Sequence, residues 1–316
     1  MQNCFLSVVI PCRDYGQYLD DAIKSALRQE AFSDNIEIIV INDHSSDSNT
    51  VQRLRYWETA ERRVRVVHNP GPIGAASARN FGIAEATGEW IAFLDADDIW
   101  LPHALRVRCR VLENFPEAQW IGADFLRQYE NGTHGSEGVF KSRSKTHEKL
   151  RHAYETGTVL RLRKPVVEFL RTSLGWTSTI LAKKALLEGV GGFNATLGAY
   201  EDHHLWIRLA YEADFYFVPE VVTYYRDHAM SVSRNQGAPA NWYIVAMRLL
   251  QGESHFRPYR GLIRKRLCAL FEQNSGYHRG RGEWRLAAMS AGRSILYQPL
   301  RSKAWRSLVA AMIGRR

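Results

Sequence analysis

The sequence predicts an α/β protein with a Rossmann-like, mostly parallel sheet flanked by helices, followed by a helical C-terminal extension. Short apolar runs alternate with segments of helical spacing up to about residue 100. This alternation is typical of right-handed βαβ units with parallel strands. Polar and acidic residues follow several of the apolar runs, at the sheet edge where open α/β sheets bind their ligands.

The predicted elements follow one another from the N terminus. Leu6–Pro11 is an apolar strand, and apolar residues between Leu19 and Leu27 give Gln17–Gln29 the spacing of a helix. The next elements are a strand at Ile36–Ile41, a helix around Val51–Arg63, a strand at Arg65–Val67, a helix from about Ala75 to Ala86 and a strand at Trp90–Leu94. Four strands that alternate with helices predict a parallel sheet.

Three carboxylates follow the fourth strand directly, in the run Asp95-Ala96-Asp97-Asp98. Carboxylate oxygens are hard ligands that suit Mg²⁺ or Mn²⁺, and such an ion can hold a diphosphate. A hydrated acidic turn is the alternative, because Asp is a common turn former. Pro11–Asp14 and Asn42–Asp43 also follow predicted strands, so we expect the three segments to converge on one crevice.

Seven short motifs lie in order over roughly residues 5 to 233. They are Ser7-Val8-Val9-Ile10-Pro11, Val40-Ile41-Asn42-Asp43 with Ser45-Ser46-Asp47, Gly74-Ala75-Ala76-Ser77-Ala78-Arg79-Asn80-Phe81-Gly82-Ile83, Asp95-Ala96-Asp97-Asp98, Gly191-Gly192-Phe193, Glu201-Asp202 and Tyr225-Arg226-Asp227-His228. In their order and in their placement on alternating strands and helices, they resemble the family 2 glycosyltransferases of the GT-A fold, of the bacterial surface-polysaccharide type.

The resemblance implies a binding site for a nucleoside diphosphate sugar. It implies that Asp43 hydrogen-bonds the nucleotide base and that Arg79 lies near the base or the diphosphate. It also implies that Asp95 faces the ribose or the sugar of the donor, and that Asp97 ligates the Mn²⁺ or Mg²⁺ ion that bridges the phosphates. That ion would neutralise the charge that builds on the leaving group.

One position departs from the family pattern. Relatives commonly carry a Tyr-Asn pair after the first strand, where this chain has Arg13-Asp14. Aromatic stacking on the base is therefore not expected from this position. We expect Arg13 to stack on the base or to contact phosphate instead. Pro11 and Arg13 are both assigned to the donor site.

The resemblance identifies Asp202 as the general base. Asp202 precedes a stretch of helical spacing from Leu205 to Leu209, so it lies at a helix N terminus, which favours an anion. A plain N-cap is the alternative role. Glu201 and Trp176 are placed on the acceptor side, where an indole ring suits stacking on a sugar, with core packing of the tryptophan as the alternative.

His228 begins a His-x-x-Ser sequence after the strand-like segment Phe215–Tyr225. In relatives this loop closes over the diphosphate, which makes His228 a candidate second ligand, because imidazole is an acceptable ligand for Mn²⁺. The alternative is a loop histidine without a role. The polar segment Gln128–Thr158 predicts a long mobile loop beside the acceptor site.

Length and composition fit a globular protein, with 45% hydrophobic residues among 316. No apolar run approaches the roughly 20 residues that span a bilayer, and the first strand begins too early to leave room for a signal peptide. We therefore expect a cytoplasmic protein. Its four cysteines lack CxxC spacing and are expected to be reduced packing residues. They are Cys4, Cys12, Cys109 and Cys268.

The basic excess of the chain lies at the C terminus. Residues 241–316 hold 15 Lys or Arg and 3 Asp or Glu, whereas the whole chain has a net charge of +9. Two apolar helical faces occur there, Leu262, Ile263, Leu267, Leu270 and Phe271, and then Trp305, Leu308, Val309, Met312 and Ile313. Basic amphipathic helices favour binding of residues 260–316 to an anionic membrane surface, at the inner face of the cell membrane. Packing on the catalytic domain or on a partner is the alternative.

These observations predict an inverting glycosyltransferase in envelope polysaccharide or glycolipid assembly. Its donor is a nucleoside diphosphate sugar, with a UDP-sugar favoured, and its acceptor is a hydroxyl of a glycan or of a lipid-linked saccharide. The predicted division is a donor-binding half at 1–105, an acceptor-binding half at 106–235 and a basic helical extension at 236–316. The sequence leaves the oligomeric state open.

Two other classes of protein are less consistent with the sequence. Phe93-Leu94-Asp95-Ala96-Asp97 also resembles the DxD motif of haloacid-dehalogenase-like phosphatases, but that motif lies on a first strand, and three predicted strands precede it here. The sequence pI of about 9.4 would suit a nucleic-acid-binding protein. No helix-turn-helix, zinc or RNA-recognition signature accompanies it, so no nucleic-acid partner is expected.

Overall fold

The computed structural model describes residues 5–29, 35–144, 147–231 and 240–314. The chain divides into two compact units. The first comprises the residues up to Val166 together with Ser173–Ala195 and Leu205–His228, and the second comprises Val167–Thr172, Thr196–His204 and the residues from Ala229 onward. The assignment of donor and acceptor binding to 1–105 and 106–235 stays a prediction.

The described residues of the first unit form a nine-stranded sheet in the order β3-β2-β1-β4-β8-β6-β9-β5, with β7 paired to β9. Its strands are β1 (Leu6–Cys12), β2 (Ile36–Asn42), β3 (Val64–His68), β4 (Trp90–Phe93), β5 (Ile99–Trp100), β6 (Trp120–Tyr129), β7 (Leu160–Leu162), β8 (Leu181–Lys183) and β9 (Phe215–Asp227).

The four strands that the sequence predicts, β1 to β4, form a parallel part of the sheet. Strand β1 pairs in parallel with β2 and β4, and β2 pairs in parallel with β3. The carboxyl ends of these strands therefore open onto one edge. The later strands are mixed, because β8 runs antiparallel to β4 and β6, while β6 and β9 are parallel. The Rossmann-like α/β fold is confirmed, with a mixed sheet.

Ten helices of the described chain come before residue 213. They are α1 (Gly16–Leu27), α2 (Ser48–Ala60), α3 (Ala75–Glu85), α4 (Ala104–Cys109), α5 (Val111–Asn114), α6 (Val139–Arg143), α7 (Glu148–Thr156), α8 (Val166–Arg171), α9 (Lys184–Gly189) and α10 (Glu201–Glu212). Apolar residues of α1 and of alternate positions in strands β1, β2 and β4 are buried in one core cluster. This packing holds the parallel strands in register, so the loops at their carboxyl ends have fixed starting points.

The prediction of a long mobile loop over Gln128–Thr158 is wrong, because the described part of this segment contains the end of β6 and helices α6 and α7. The reason is the buried side chain of Asp124. Its carboxylate accepts hydrogen bonds from the backbone N–H groups of Phe140 and Lys141, at 2.8 and 3.0 Å, and from the hydroxyl of Tyr154 at 2.5 Å. Asp124, which lies outside the segment, thus accepts hydrogen bonds that hold the segment in place. The polar composition of the segment did not indicate this order.

The C-terminal region is helical, as predicted. Its helices are α11 (Asn241–Gly252), α12 (Arg260–Gly280), α13 (Trp284–Tyr297) and α14 (Ser302–Met312), with a 3-10 segment at Ser254–Tyr259. None of the helices in the described ranges is long and apolar enough to cross a membrane.

Three of the four cysteines lie in the described ranges. Cys12, Cys109 and Cys268 are buried free thiols, as the sequence predicts, and Cys4 lies outside the described residues. Burial raises the pKa of the Cys12 thiol to about 12. This thiol is therefore a packing residue at neutral pH and not a nucleophile.

Candidate active site

The loops that follow β1 and β2 are joined by Asp14. Its backbone is left-handed, with φ of 57°, which Asp tolerates better than most residues. Its Oδ1 accepts hydrogen bonds from the backbone N–H groups of Ser46 and Asp47 at 2.8 and 2.9 Å. Asp14 is therefore a structural residue, a role that the sequence did not reveal. Its neighbour Arg13 is exposed, and Pro11 is partly buried in register with Ile41.

Asp43 fixes the start of helix α3. Its carboxylate accepts hydrogen bonds from Nδ2 of Asn69 at 2.7 Å and from the backbone N–H of Gly74 at 2.9 Å. Gly74 precedes α3 with φ of 144°, a conformation that favours glycine. The buried carboxylate thus orients the helix that carries Arg79. Each oxygen of this carboxylate can accept a further hydrogen bond, so a contact with a nucleotide base is chemically possible. That contact stays a prediction.

The structure brings Arg79 and Asp95 together. Nη2 of Arg79 donates to Oδ1 of Asp95 at 2.6 Å, and the guanidinium carbon lies 5.4 Å from the centre of the Phe193 ring. Phe193 is held by Asn80, whose amide hydrogen-bonds both its N–H and its carbonyl group at 2.8 Å. The Gly-Gly-Phe motif thus packs against α3 and supports Arg79.

Asp98 is a buried structural member of the acidic run. The Ser178 hydroxyl hydrogen-bonds Oδ2 of Asp98, and the backbone N–H of Arg226 donates to Oδ1 at 3.3 Å. Burial, and then the charges of Asp97 and Asp95, raises the pKa of Asp98 well above its usual range. Its partners lie far away in the sequence, so the motif alone could not separate its role from those of Asp95 and Asp97.

Asp97 lies next to His228, and the proposed role of the two residues as ligands of one ion stays a prediction. Nε2 of His228 is 3.0 Å from Oδ2 of Asp97, and the imidazole packs 4.5 Å from the ring of Tyr18. Within the described ranges, no group of three His, Cys, Asp or Glu side chains forms a metal site. One carboxylate and one imidazole nevertheless fit an ion that takes its other ligands from substrate phosphates and water.

A cleft of about 250 Å³ opens beside this pair. It is lined by Tyr18, Gln128, Tyr129, Glu130, Gly132, Arg226, Asp227 and His228. Aromatic rings with convergent polar groups are suited to a sugar or a similar polar ligand. Among these residues the sequence assigned a role to His228 alone. Arg226 and Asp227 belong to the same motif as His228 but had no role assigned, and residues 128–132 lie in the segment that was predicted as a loop beside the acceptor site.

Trp176 belongs to an aromatic cluster. Its indole stacks on Phe125 at 4.8 Å between ring centres and meets Tyr225 edge-on at 4.7 Å. The side chain is partly buried, so the packing alternative has a physical basis. Its place on the acceptor side stays a prediction.

Glu201 and Asp202 open helix α10 and belong to the second unit. Oδ1 of Asp202 accepts a hydrogen bond from the backbone N–H of His203 at 2.6 Å. A carboxylate in the first turn is stabilised by the helix dipole. Asp202 therefore makes a stabilising contact at the N terminus of α10. Its proposed role as the general base stays a prediction.

The family model described as glycosyl transferase family 2 matches residues 7–161. An uncharacterized glycosyltransferase of Nostoc sp. is 37% identical over 117 residues, which are 37% of this chain and 34% of the relative. The Escherichia coli UDP-Glc:alpha-D-GlcNAc-diphosphoundecaprenol beta-1,3-glucosyltransferase WfgD is 32% identical over 112 residues, 35% of this chain and 42% of the relative. These two relatives are matched over well under half of their own lengths.

Solved structures extend the likeness to nearly the whole chain. TarS of S. aureus in complex with UDP-GlcNAc has a TM-score of 0.66 and 16% identity, covering 98% of this chain and 88% of that one. The Pyrobaculum calidifontis mannosyltransferase PcManGT, in complex with GDP-Man and Mn²⁺, has a TM-score of 0.61 and 18% identity, covering 98% and 86%. At these identities the likeness is one of fold, and it agrees with the predicted GT-A architecture.

Proposed function

Since this chain belongs to glycosyl transferase family 2, we propose that it is an inverting glycosyltransferase. It transfers a sugar from a nucleoside diphosphate sugar, with a UDP-sugar favoured, to an acceptor hydroxyl. The observation that carries the proposal is the Asp97–His228 pair at the carboxyl end of β4, 3.0 Å apart. A phosphatase of the haloacid-dehalogenase type would need its acidic motif on a first strand, and this run follows the fourth.

The residues of the first unit bind and orient the donor in this proposal. Arg79 and Asp95, paired at 2.6 Å, are placed at the diphosphate and at the ribose or sugar, and Asp43 is placed at the base. Exposed Arg13 reaches phosphate or stacks on the base. Asp97 and His228 would hold Mn²⁺ or Mg²⁺, which stabilises a leaving diphosphate as a Lewis acid.

Asp202 acts as the general base. Its carboxylate takes the proton of the acceptor hydroxyl while that oxygen forms a bond to the anomeric carbon. The bond from this carbon to the diphosphate oxygen breaks on the opposite face, and the electron pair leaves with the nucleoside diphosphate. A single displacement inverts the anomeric configuration. A positioned base contributes roughly 10²- to 10⁴-fold in rate for such poorly acidic hydroxyls.

The choice of donor and acceptor is supported by the relatives. WfgD is named for transfer from UDP-Glc to a GlcNAc-diphosphoundecaprenol, and TarS is described with UDP-GlcNAc. The archaeal neighbour is described with GDP-Man and Mn²⁺, so the nucleotide differs among proteins of this fold. We propose a UDP-sugar donor and a glycan or lipid-linked saccharide acceptor, in envelope polysaccharide or glycolipid assembly.

The last helix supports a location at the inner face of the cell membrane. Of its predicted apolar face, Trp305, Val309, Met312 and Ile313 are 50 to 73% exposed. Leu296 and Leu300 add exposed apolar surface, and Lys303 and Arg306 lie exposed on the same helix. Apolar side chains beside cations fit the headgroup boundary of an anionic leaflet, so we propose that α14 binds a membrane surface.

Release of the nucleoside diphosphate tests the proposed activity. The purified full chain is incubated with Mn²⁺ and a panel of UDP, dTDP and GDP sugars, with and without lipid-linked saccharide acceptors. We expect release of UDP from one sugar, increased by an acceptor, and an anomeric configuration in the product opposite to that of the donor. Release of inorganic phosphate from phosphoesters, without transfer of any sugar, would support the phosphatase alternative and overturn the proposal.

A further inference from the structure

The segment Thr196–His204, which carries Asp202, packs on helix α11 within the second unit. A Cβ atom on Gly198 would lie 2.7 Å from the indole ring of Trp242, so this backbone lies directly against a side chain of α11. Two residues on, the ring of Tyr200 stacks on Tyr243 at 4.7 Å, with 12° between the ring planes. The proposed base is thus carried by a segment that is shaped by the C-terminal helices.

The backbone of Tyr200 supports this interpretation. Its φ is 60°, a left-handed conformation that is uncommon for a bulky aromatic residue. Such conformations persist where the surrounding structure fixes them, and they cluster at functional sites. The carbonyl of Tyr200 accepts a hydrogen bond from the N–H of His204 at 3.0 Å, which closes the turn around Asp202. The stack on Tyr243 therefore holds the residue that starts this turn.

His203 ties the next position of the turn to the same tyrosine. Its Nε2 is 2.8 Å from the carbonyl oxygen of Phe169 and 3.3 Å from the hydroxyl of Tyr243. A carbonyl oxygen only accepts hydrogen bonds, so Nε2 carries the hydrogen. Burial lowers the pKa of His203 to about 4, which keeps the imidazole neutral near pH 7.

Arg266 of α12 holds Tyr243 from the other side. Its Nη2 donates to the Tyr243 hydroxyl at 3.3 Å, and its guanidinium carbon lies 5.0 Å from the ring centre. Burial raises the pKa values of Tyr200 and Tyr243, the charge of Asp202 raises them further, and Arg266 opposes the shift. The carboxylate of Asp202, the two phenols and the guanidinium group thus interact electrostatically.

We propose that Tyr243, held by Arg266, is a positioning residue that fixes the Asp202 carboxylate through Tyr200 and His203. The inference rests on the proposed function, because it assumes that Asp202 is the general base. It gives helices α11 and α12 a role in turnover that does not depend on membrane binding. A misplaced catalytic group loses rate steeply, so loss of the Tyr243 hydroxyl should lower kcat and leave donor binding intact.

The first variant is Tyr243→Phe, which keeps the stacked ring and removes the hydroxyl. We expect kcat to fall about tenfold, with the KM for the donor and the calorimetric affinity for its nucleoside diphosphate unchanged. The matched control is Tyr297→Phe in the same unit. The Tyr297 hydroxyl accepts from Nε of Arg248 at 3.3 Å, and its ring stacks on Phe271 at 5.7 Å, so it resembles Tyr243 in its contacts but not in its place. We expect this control to keep the wild-type kcat.

A double-mutant cycle with Asp202→Asn decides whether Tyr243 acts through Asp202. If it does, Tyr243→Phe lowers kcat in the wild-type background and has little effect in the Asp202→Asn background. Equal factors in both backgrounds would overturn the inference and leave the proposed function intact. Full turnover of Asp202→Asn would overturn the assignment of the base, and the inference with it. If Tyr243→Phe fails to fold, Arg266→Met replaces it in the same cycle, with the same expected and contrary results.

Discussion

Nε2 of His228 lies 3.0 Å from Oδ2 of Asp97, although 131 positions separate the two residues in the chain. Asp97 follows β4, whereas His228 follows β9, so the pairing depends on the order of strands in the sheet. Tyr18 packs on the imidazole, with 4.5 Å between the ring centres. In the proposed metal site, this carboxylate and this imidazole would supply two of the six ligands of an octahedral Mn²⁺ or Mg²⁺ ion.

The first prediction concerns this pair. Asp97→Ala should remove nearly all turnover, by at least about 10²-fold, because the diphosphate would then leave without its counter-charge. Excess EDTA should abolish sugar transfer by the wild-type chain, and added Mn²⁺ or Mg²⁺ should restore it. Glu58→Ala, on an exposed position of α2, is the control and should keep wild-type turnover. Full activity in excess EDTA would contradict the prediction.

The second prediction concerns the base. Asp202→Asn keeps size and polarity but cannot accept a proton, so kcat should fall by at least about 10²-fold. The affinity for the nucleoside diphosphate, measured by calorimetry, should stay nearly unchanged. Glu212→Gln, at the exposed last residue of α10, should change neither quantity. A parallel loss of affinity and turnover in Asp202→Asn would make Asp202 a structural cap or part of the donor site.

The sequence predicted the elements that depend on local pattern. The strands β1 to β4 and the helices between them follow from apolar periodicity, and the position of Asp95–Asp98 follows from the strand before them. The roles of Asp98 and Asp124 depend on partners that are distant along the chain. Ser178 is 80 residues from Asp98, and Tyr154 is 30 residues from Asp124. No local pattern contains these partners, so neither carboxylate could be identified as structural.

The two apolar faces of the C-terminal region show a second feature that the sequence alone could not predict, namely whether each face is buried. The face of α12 is buried, with Ile263 and Leu267 at 0% exposure, so it packs inside the protein and does not form a membrane-binding surface. The face of α14 is exposed, because the small residues Ala304, Ser307 and Ala311 are the ones buried on this helix. Periodicity identifies an apolar face, but the fold decides whether other elements cover it.

The third prediction concerns the buried imidazole of His203. Its folded pKa of about 4 lies below the unfolded value near 6.5. Between these values the unfolded chain binds more protons, so stability should fall as pH falls from 6.5 towards 4. The full effect is about 3 kcal/mol.

Urea unfolding at pH 7 and pH 5 measures this contribution. His203→Gln removes the titration and keeps a donor for the Phe169 carbonyl, so its loss of stability on acidification should be smaller than that of the wild type. Other titrating groups contribute to both proteins and cancel in the comparison. Equal losses in the two proteins would show that His203 is not held neutral in the folded state.

The fourth prediction concerns membrane binding by α14. Basic residues near an anionic leaflet contribute about 1 kcal/mol each, and exposed apolar side chains add to this by entering the headgroup boundary. The full chain should float with anionic liposomes, less so at high salt, and Val309→Asp with Met312→Asp should weaken flotation at least tenfold. These side chains are 55% and 73% exposed, so folding should be preserved. Tyr56→Asp, 55% exposed on α2, is the matched control and should float like the wild type. Flotation that ignores anionic lipid, salt and the α14 substitutions would make this face a site for a protein partner or for a second copy of the chain.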